Sequence, residues 1–241
     1  MREGKRIGVV IPARNEEGAI GLVLADLPDW VDTVVVADNG SNDRTAAVAR
    51  AAGAIVVYEP QPGYGAACLA GIAALPRVDI VVFADGDRSD YVEDMAAIVD
   101  PILIDPKLAG AADLVIGSRA LGGREAGSMT VPQMFGNWLA TRLIRLIWGV
   151  RYTDLGPFRA ISRPALDRLG MADRTFGWTV EMQLKAIEKG LRVLEVPVRY
   201  RARIGVSKIS GTVKGSILAG TKILSLIGRH AVRSWMGRAR G

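Results

Sequence analysis

The stretch IGVVIPARNEE, residues 7–17, opens with an apolar run and passes directly into a polar loop. Its first five residues are rich in β-branched side chains, which favours a strand buried on both faces of a sheet. Four further runs have the same character and end at Gly, Pro, Asn or Asp; they occupy residues 34–37, 55–58, 80–84 and 114–117. The sequence therefore predicts a series of short strands, each followed by a loop.

Segments with helical spacing of apolar residues lie between these strands, at residues 17–27, 45–52, 66–74 and 92–104. Alternating strands and helices predict right-handed crossovers and an α/β fold, with a mostly parallel central sheet flanked by helices. Later in the chain the pattern predicts helices at residues 132–148 and 179–189 and a last strand at residues 192–200. In such a sheet, ligands bind beyond the carboxyl ends of the strands.

The composition indicates a protein of a reducing compartment. The chain has 241 residues, of which 49% are hydrophobic, enough to bury a full core. The single cysteine, Cys68, excludes an internal disulfide, and no Cys/His cluster suggests a zinc site. The apolar run near the amino terminus is too short for a signal peptide or a membrane span. We therefore expect a cytoplasmic protein.

The positive charge is concentrated at the carboxyl-terminal end. Residues 199–241 contain ten Lys and Arg residues and no Asp or Glu, whereas the whole chain has a formal net charge of +6. At helical spacing, residues 212–233 place Lys222, Arg229 and Arg233 on one side and apolar residues on the other. We expect a catalytic domain at residues 1–205 and a basic amphipathic helical tail at residues 206–241.

This tail is expected to attract an anionic membrane surface, which makes the protein peripheral at the inner face of the plasma membrane. The alternative is a helix that packs on the domain or on a second copy of the chain, as a homodimer, with its basic face in water. His230 lies among the basic residues of the tail and is expected in solvent. A nucleic-acid partner is not expected, because Trp235 is the one aromatic residue of the tail that could stack on bases.

The triplet Asp85-Gly86-Asp87 follows the fourth predicted strand. Two carboxylates one residue apart in a partly desolvated crevice repel each other unless a cation compensates. Hard oxygen ligands suit Mg²⁺ or Mn²⁺ shared with a diphosphate. Turn formation is the alternative for this triplet, as it is for the polar loops after the other strands.

Eight stretches carry a resemblance to a known family, and they span nearly the whole chain: VVIPARNEE, VVADNGSNDRT, PGYGAACLAGI, VVFADGD, VIGSRALGG, TDLGPFRAISR, FGWTVEMQLKA and VPVRYRARIGVSKISGT. In this order they resemble the family-2 glycosyltransferases of the GT-A fold, especially the branch with dolichyl- and polyprenyl-phosphate mannose and glucose synthases. The resemblance implies a nucleotide-sugar donor, such as UDP-glucose or GDP-mannose, and a single inverting displacement at the anomeric carbon.

The resemblance also implies roles for individual residues. Asp85 and Asp87 would hold the metal, and Asp87 would be catalytic. The nucleotide sugar would be bound by Pro12, Ala13, Asn15, Glu16, Asp38, Gly63, Asp85 and Gly86. The diphosphate and the acceptor phosphate would be bound by Arg119, Arg124, Arg159, Arg203 and Lys208. The chain departs from the pattern at Tyr64, where relatives often have a basic residue, and at Ser89, where a glutamine often helps to bind the ion.

The acceptor decides whether a catalytic base is needed. A polyprenyl-phosphate-like lipid acceptor is already ionised at neutral pH, so positioning and charge neutralisation suffice. A soluble hydroxyl acceptor must lose a proton, and Glu181 and Asp154 are the two candidates for the base. Each has a structural alternative: Glu181 could pair with Lys185 one helical turn on, and Asp154 could cap a turn.

Overall fold

The computed structural model describes the backbone of residues 1–205 and 213–238, and the side chains of residues 1–205 and 218–236. Within these residues the strands of a single sheet are β1 (Ile7–Ala13), β2 (Thr33–Asp38), β3 (Ile55–Tyr58), β4 (Ile80–Phe83), β5 (Leu114–Ser118), β6 (Arg159–Ser162) and β7 (Val193–Pro197). Their order across the sheet is β3-β2-β1-β4-β6-β5-β7. Neighbouring strands are parallel, except that β6 runs antiparallel to both β4 and β5. The predicted α/β class with a mostly parallel sheet is confirmed, and β6 is the strand that the sequence pattern does not predict.

The helices are α1 (Ile20–Ala25), α2 (Thr45–Ala51), α3 (Tyr64–Ala74), α4 (Met95–Leu103), α5 (Arg119–Gly122), α6 (Val131–Trp148), α7 (Arg163–Leu169), α8 (Trp178–Glu188) and α9 (Val213–Arg238). The segment predicted as one helix at residues 92–104 is a short 3₁₀ turn, Val92–Asp94, followed by α4. Capping explains the start of α6: the Thr130 hydroxyl accepts from the Gln133 amide, and the Gln133 side chain accepts from the Thr130 amide.

The sheet separates two hydrophobic cores, because successive side chains of a strand point to opposite faces. Val10 and Val35 belong to the core that includes residues of α3, α6, α8 and α9. Val9 and Val36 belong to the core that includes residues of α1, α2 and α4. Residues on both faces of β1 and β4 are buried, which explains why these strands appear in the sequence as continuous apolar runs.

Helix α9 packs on α6 and α8, so the described part of the tail lies against the rest of the protein. Leu226 and Ile227 are buried in the same core as α6 and α8. His230, one helical turn further on, is only 5% exposed, and its Nδ1 lies 2.7 Å from Glu188 Oε1. The expectation that His230 lies in solvent is therefore wrong, because this side chain is on the face of α9 that packs inward.

Within residues 1–205 and 213–238, no helix combines the length and the hydropathy that crossing a bilayer requires.

Candidate active site

A cavity of about 570 Å³ lies at the edge of the sheet where β1, β2, β3 and β4 end. Its wall includes Pro12 and Ala13 at the end of β1, Asn39 after β2, and the glycine loop 62–65 after β3. The triplet Asp85-Gly86-Asp87 after β4 completes this side. The register explains the meeting of these loops. Ala13 pairs with Asp38 and Asp38 with Tyr58, so β1, β2 and β3 end at one level. Strand β4 ends at Phe83, opposite Val10, and the chain that follows it brings Gly86 against Pro12 and Ala13.

The two predicted metal ligands lie together in this cavity. The Tyr64 hydroxyl donates to Asp85 Oδ1 at 3.1 Å, and Arg203 Nη1 lies 2.7 Å from Asp87 Oδ2. Burial, together with the nearby Asp87 carboxylate, raises the pKa of Asp85 to about 7. Burial and the Asp85 charge also raise the pKa of Asp90, which accepts from the Asp85 amide. Carboxylates crowded in this way are stabilised by a cation.

A divalent ion fits this pair of carboxylates. In the part of the chain that the structure describes, no group of three or more His, Cys, Asp or Glu side chains could hold a metal ion. Mg²⁺ is commonly bound by one or two carboxylates together with substrate phosphates, so a complete protein cage is not required. Asp85 and Asp87 offer hard oxygen ligands next to open cavity, where a diphosphate would supply the others.

The residues expected to bind the nucleotide sugar divide into two groups. Those that line the cavity are Pro12, Ala13, Glu16, Gly63, Asp85 and Gly86. Asn15 and Asp38 instead hold the loops: Asn15 Oδ1 accepts from the Asn42 amide at 2.8 Å, and Asp38 Oδ1 accepts from the Ser41 amide at 3.1 Å.

Asn39 is a site residue that the sequence analysis missed. Its Nδ2 donates to the carbonyls of Glu59 and Gln61, and its Oδ1 accepts from the Gly63 amide at 2.8 Å. The side chain thus ties the glycine loop to the end of β2. A signal was present, since Asn39 directly follows a strand, but asparagine is also a common turn residue.

The glycine loop packs directly against residues 172–177. The Gly65 amide donates to the Thr175 carbonyl at 3.1 Å, and the Ala66 amide donates to the Arg174 carbonyl at 2.9 Å. A Cβ atom at Gly65 would overlap the Asp173 carbonyl oxygen, and one at Gly63 would overlap that of Arg174. Glycine is therefore required at both positions by the close approach of two backbone segments.

Two of the predicted phosphate-binding arginines, Arg119 and Arg203, line the cavity. Arg119 is held by Asp154: the Arg119 amide and Nε donate to Oδ2, and Nη2 donates to Oδ1, at 2.6–2.8 Å. The Arg119 guanidinium also lies 5.0 Å from the centre of the Tyr200 ring, which lines the cavity too. The cavity therefore has guanidinium groups as well as carboxylates in its wall.

The remaining predicted phosphate ligands differ in position. Arg159 is completely buried, and its guanidinium donates to the backbone carbonyls of Leu155, Gly156 and Thr179. These contacts correct the expectation of a phosphate ligand at Arg159, because its donors already serve to hold backbone segments together. Arg124 is exposed and is not among the described residues that line the cavity. Lys208 lies outside the described residues.

Neither candidate base has the geometry of a catalytic base. Asp154 is 1% exposed and its carboxylate is occupied by Arg119. Glu181 is 4% exposed, accepts from the Ala172 and Asp173 amides, and lies 2.8 Å from Lys185 Nζ. Neither is among the described residues that line the cavity. The alternative pairing of Glu181 with Lys185 is confirmed, and both carboxylates are occupied by contacts with neighbouring residues.

Comparison with known proteins identifies the class. The chain belongs to glycosyl transferase family 2, whose sequence profile matches residues 8–170. It is 38% identical over 224 residues to an uncharacterized glycosyltransferase of Mycobacterium tuberculosis, covering 90% of this chain and 95% of that one. It is 32% identical over 217 residues to a dolichyl-phosphate hexose transferase of Haloferax volcanii, covering 88% and 90%.

Among solved structures, the fold resembles that of glucosyl-3-phosphoglycerate synthase from Mycobacterium tuberculosis in complex with Mn²⁺, uridine diphosphate and glucosyl-3-phosphoglycerate. The TM-score is 0.73 at 26% sequence identity, and the similarity covers 93% of this chain and 81% of that one. The predictions of a glycosyltransferase and of its family are confirmed. The expected divalent metal agrees with the Mn²⁺ in this relative.

Proposed function

We propose that this chain transfers a hexose from a nucleoside-diphosphate sugar to a lipid-phosphate acceptor at a membrane surface, with Mg²⁺ or Mn²⁺ bound by Asp85 and Asp87. One observation carries the proposal: a single cavity contains the carboxylate pair and the guanidinium groups of Arg119 and Arg203. A carboxylate pair suits a metal-bound diphosphate, and guanidinium groups suit phosphate oxygens.

The reaction proposed for this arrangement is a single displacement. An ionised phosphate oxygen of the acceptor attacks the anomeric carbon, the bond from that carbon to the diphosphate breaks, and the configuration inverts. A divalent ion bound there would neutralise the charge that develops on the leaving diphosphate. Arg203 and Arg119 orient the charged oxygens, and the glycine loop positions the nucleotide. A phosphate nucleophile needs no base. This agrees with the structure, in which Glu181 and Asp154 are buried and form ion pairs with Lys185 and Arg119.

The acceptor side of the cavity supports a lipid. Met129 before α6, Pro132 and Gly136 of α6, and Ala219, Gly220 and Ile223 of α9 also line the cavity, and they add an apolar part to its wall. The outer face of α6 exposes apolar side chains beside exposed Arg142 and Arg145; they are Val131, Phe135, Trp138 and Leu146. Helix α9 exposes Leu218, Val232 and Trp235 beside Arg229 and Arg233. Aromatic, apolar and basic side chains together suit the headgroup layer of an anionic membrane on the cytoplasmic side.

A soluble phosphorylated acceptor is the second candidate, because the solved relative with the similar fold holds glucosyl-3-phosphoglycerate. In that case the exposed side chains of α6 would serve another purpose, and activity would be complete without lipid.

Both acceptors are tested with the same preparation of the protein. UDP-glucose and GDP-mannose are incubated with a short polyprenyl phosphate or with 3-phosphoglycerate, in Mn²⁺ or in chelator. The parent is compared with Asp87→Asn and with Asp105→Asn, a control that removes an exposed carboxylate from the loop after α4. We expect Mn²⁺-dependent transfer to the lipid phosphate, which Asp87→Asn abolishes and Asp105→Asn retains. Transfer to the soluble acceptor alone would refute the lipid assignment, and transfer in chelator would refute the metal assignment.

A further inference from the structure

A second loop of the chain supports the glycine loop. Residues 172–177, called here the bracing loop, pack against the glycine loop and accept hydrogen bonds from the Gly65 amide and from the amide of the next residue, Ala66. The two segments are in such close contact that a Cβ atom at Gly65 would overlap the Asp173 carbonyl oxygen. A small displacement of the bracing loop would therefore displace the glycine loop, whose Tyr64 donates to Asp85.

Asp173 determines the shape of the bracing loop. Its Oδ1 accepts from the Thr175 amide at 2.8 Å and from the Gly177 amide at 3.1 Å, which closes the loop on itself. Its Oδ2 lies 2.8 Å from Lys222 Nζ of helix α9. The Asp173 side chain is 4% exposed and the Lys222 side chain 33% exposed, so the pair is largely shielded from solvent. Although burial acts in the opposite direction, the hydrogen bonds from Lys222 and Thr175 lower the pKa of Asp173.

Lys222 links this loop to a helix that also lines the cavity. Ala219, Gly220 and Ile223, on either side of Lys222 in α9, belong to the cavity wall. The helical wheel places Lys222 with Arg229 and Arg233 on a face suited to lipid headgroups, but these residues differ in the structure. Arg229 and Arg233 are exposed, whereas Lys222 is directed to a buried carboxylate.

We propose that Lys222 is a positioning residue for the donor: through Asp173 it holds the bracing loop, and through that loop the glycine loop, in the arrangement that binds the nucleotide. This inference rests on the proposed function, since it assigns the nucleotide to the cavity beside the glycine loop. Through Lys222, helix α9 then supports the donor side of the cavity, in addition to the apolar residues that it contributes to the wall. Two other roles for Lys222 predict different results, namely a contact with lipid headgroups and a contribution to stability alone.

The experiment uses the full chain and three variants: Lys222→Met, Lys222→Arg and, as the matched control, Arg229→Met, which removes one positive charge from an exposed position of the same helix. Calorimetry measures the dissociation constants of UDP and GDP in the presence of Mn²⁺. Co-sedimentation measures binding to vesicles of phosphatidylglycerol and phosphatidylcholine, and steady-state assays give KM for donor and acceptor.

We expect Lys222→Met to weaken nucleotide binding and raise the donor KM by about three- to tenfold. This is smaller than the full effect of losing a charged hydrogen bond, because the contact acts on the nucleotide only through the bracing loop and the glycine loop. Its acceptor KM and vesicle binding stay unchanged. Lys222→Arg retains nucleotide binding within about twofold, and Arg229→Met leaves the dissociation constant unchanged but weakens vesicle binding.

Several results would overturn the inference. One is a Lys222→Met protein that binds nucleotide as the parent does. Another is a lower Tm or fewer binding sites at an unchanged dissociation constant, which indicates a structural role alone. A third is a loss of vesicle binding in Lys222→Met that equals the loss in Arg229→Met, without any effect on nucleotide. If the parent itself binds neither UDP nor GDP, the proposed function fails and the inference fails with it.

Discussion

Substitution Asp154→Asn tests whether a buried pair of charges holds the cavity wall in place. The Asp154 carboxylate accepts from the Arg119 amide, Nε and Nη2, and the side chains are only 2% and 11% exposed. Asparagine keeps the shape but removes the charge and replaces one acceptor by a donor. The Arg119 guanidinium would then remain buried without a charged partner.

The chain contains a matched control for this substitution. Asp94 accepts from the Arg199 amide, Nε and Nη2, in the same arrangement as Asp154 with Arg119. The difference is exposure, because the Arg199 side chain is 56% exposed. The two pairs thus share geometry and differ in access to water, so Asp94→Asn isolates the effect of burial.

Breaking a buried ion pair by removing one partner costs about 3–5 kcal/mol. In a protein of this size, 1 kcal/mol corresponds to about 2–4 °C in Tm, so Asp154→Asn should lower Tm by about 6–20 °C. Asp94→Asn should lower it by no more than about 4 °C, since exposed pairs contribute at most about 1 kcal/mol. Thermal unfolding followed by circular dichroism at pH 7 measures both. Equal shifts for the two variants would refute the reasoning, because burial would then not decide the contribution of the pair.

Three further predictions concern the cavity and the membrane surface. Gly65→Ala should weaken UDP binding more than tenfold, because its Cβ overlaps the Asp173 carbonyl; calorimetry showing unchanged affinity would contradict this. In chelator, Tm should fall as the pH rises from about 4 through 7, because folding raises the pKa of Asp85 to about 7 and the folded protein holds that proton more tightly. Asp85→Asn should reduce this fall and leave the part that comes from Asp90, whose pKa is also raised, and an unchanged pH profile would argue against the role of Asp85. Trp138→Asp should abolish co-sedimentation with anionic vesicles, whereas Leu121→Asp, at an exposed site outside α6, should not; equal losses would count against α6 as the membrane surface.

Much of the fold follows from the apolar runs, because strands buried on both faces leave a continuous signal in the sequence. Strands β1 to β5 and β7 were predicted within a few residues of their observed bounds. Strand β6 was missed because it has four residues and begins with Arg159, and charged side chains are rarely buried in a strand. The backbone carbonyls of Leu155, Gly156 and Thr179 accept its hydrogen bonds, and these partners become apparent only in three dimensions.

The candidate site was predictable where it depends on strand ends. Parallel strands bring their carboxyl ends to one edge, so Asp85, Asp87 and Gly63 could be placed together without a structure. Glu181 and Asp154 were harder, because a sequence does not tell whether a carboxylate faces a cavity or backbone amides. Lys222 shows the same limit, since a helical wheel gives the face of a helix but not what packs against it.

The reversed direction of β6 has a consequence for how the specificity of such an enzyme can change. Phe83 at the end of β4 pairs with Arg159 at the beginning of β6, so the segment that enters β6 arrives at the catalytic edge. Leu155 and Pro157 of this segment line the cavity. In a fully parallel sheet an incoming segment would lie at the far edge, and only outgoing loops would reach substrate. This fold therefore brings a further stretch of chain to the cavity from the opposite direction, and side chains such as Leu155 and Pro157 can change the shape of the wall while the carboxylates after β4 keep their places.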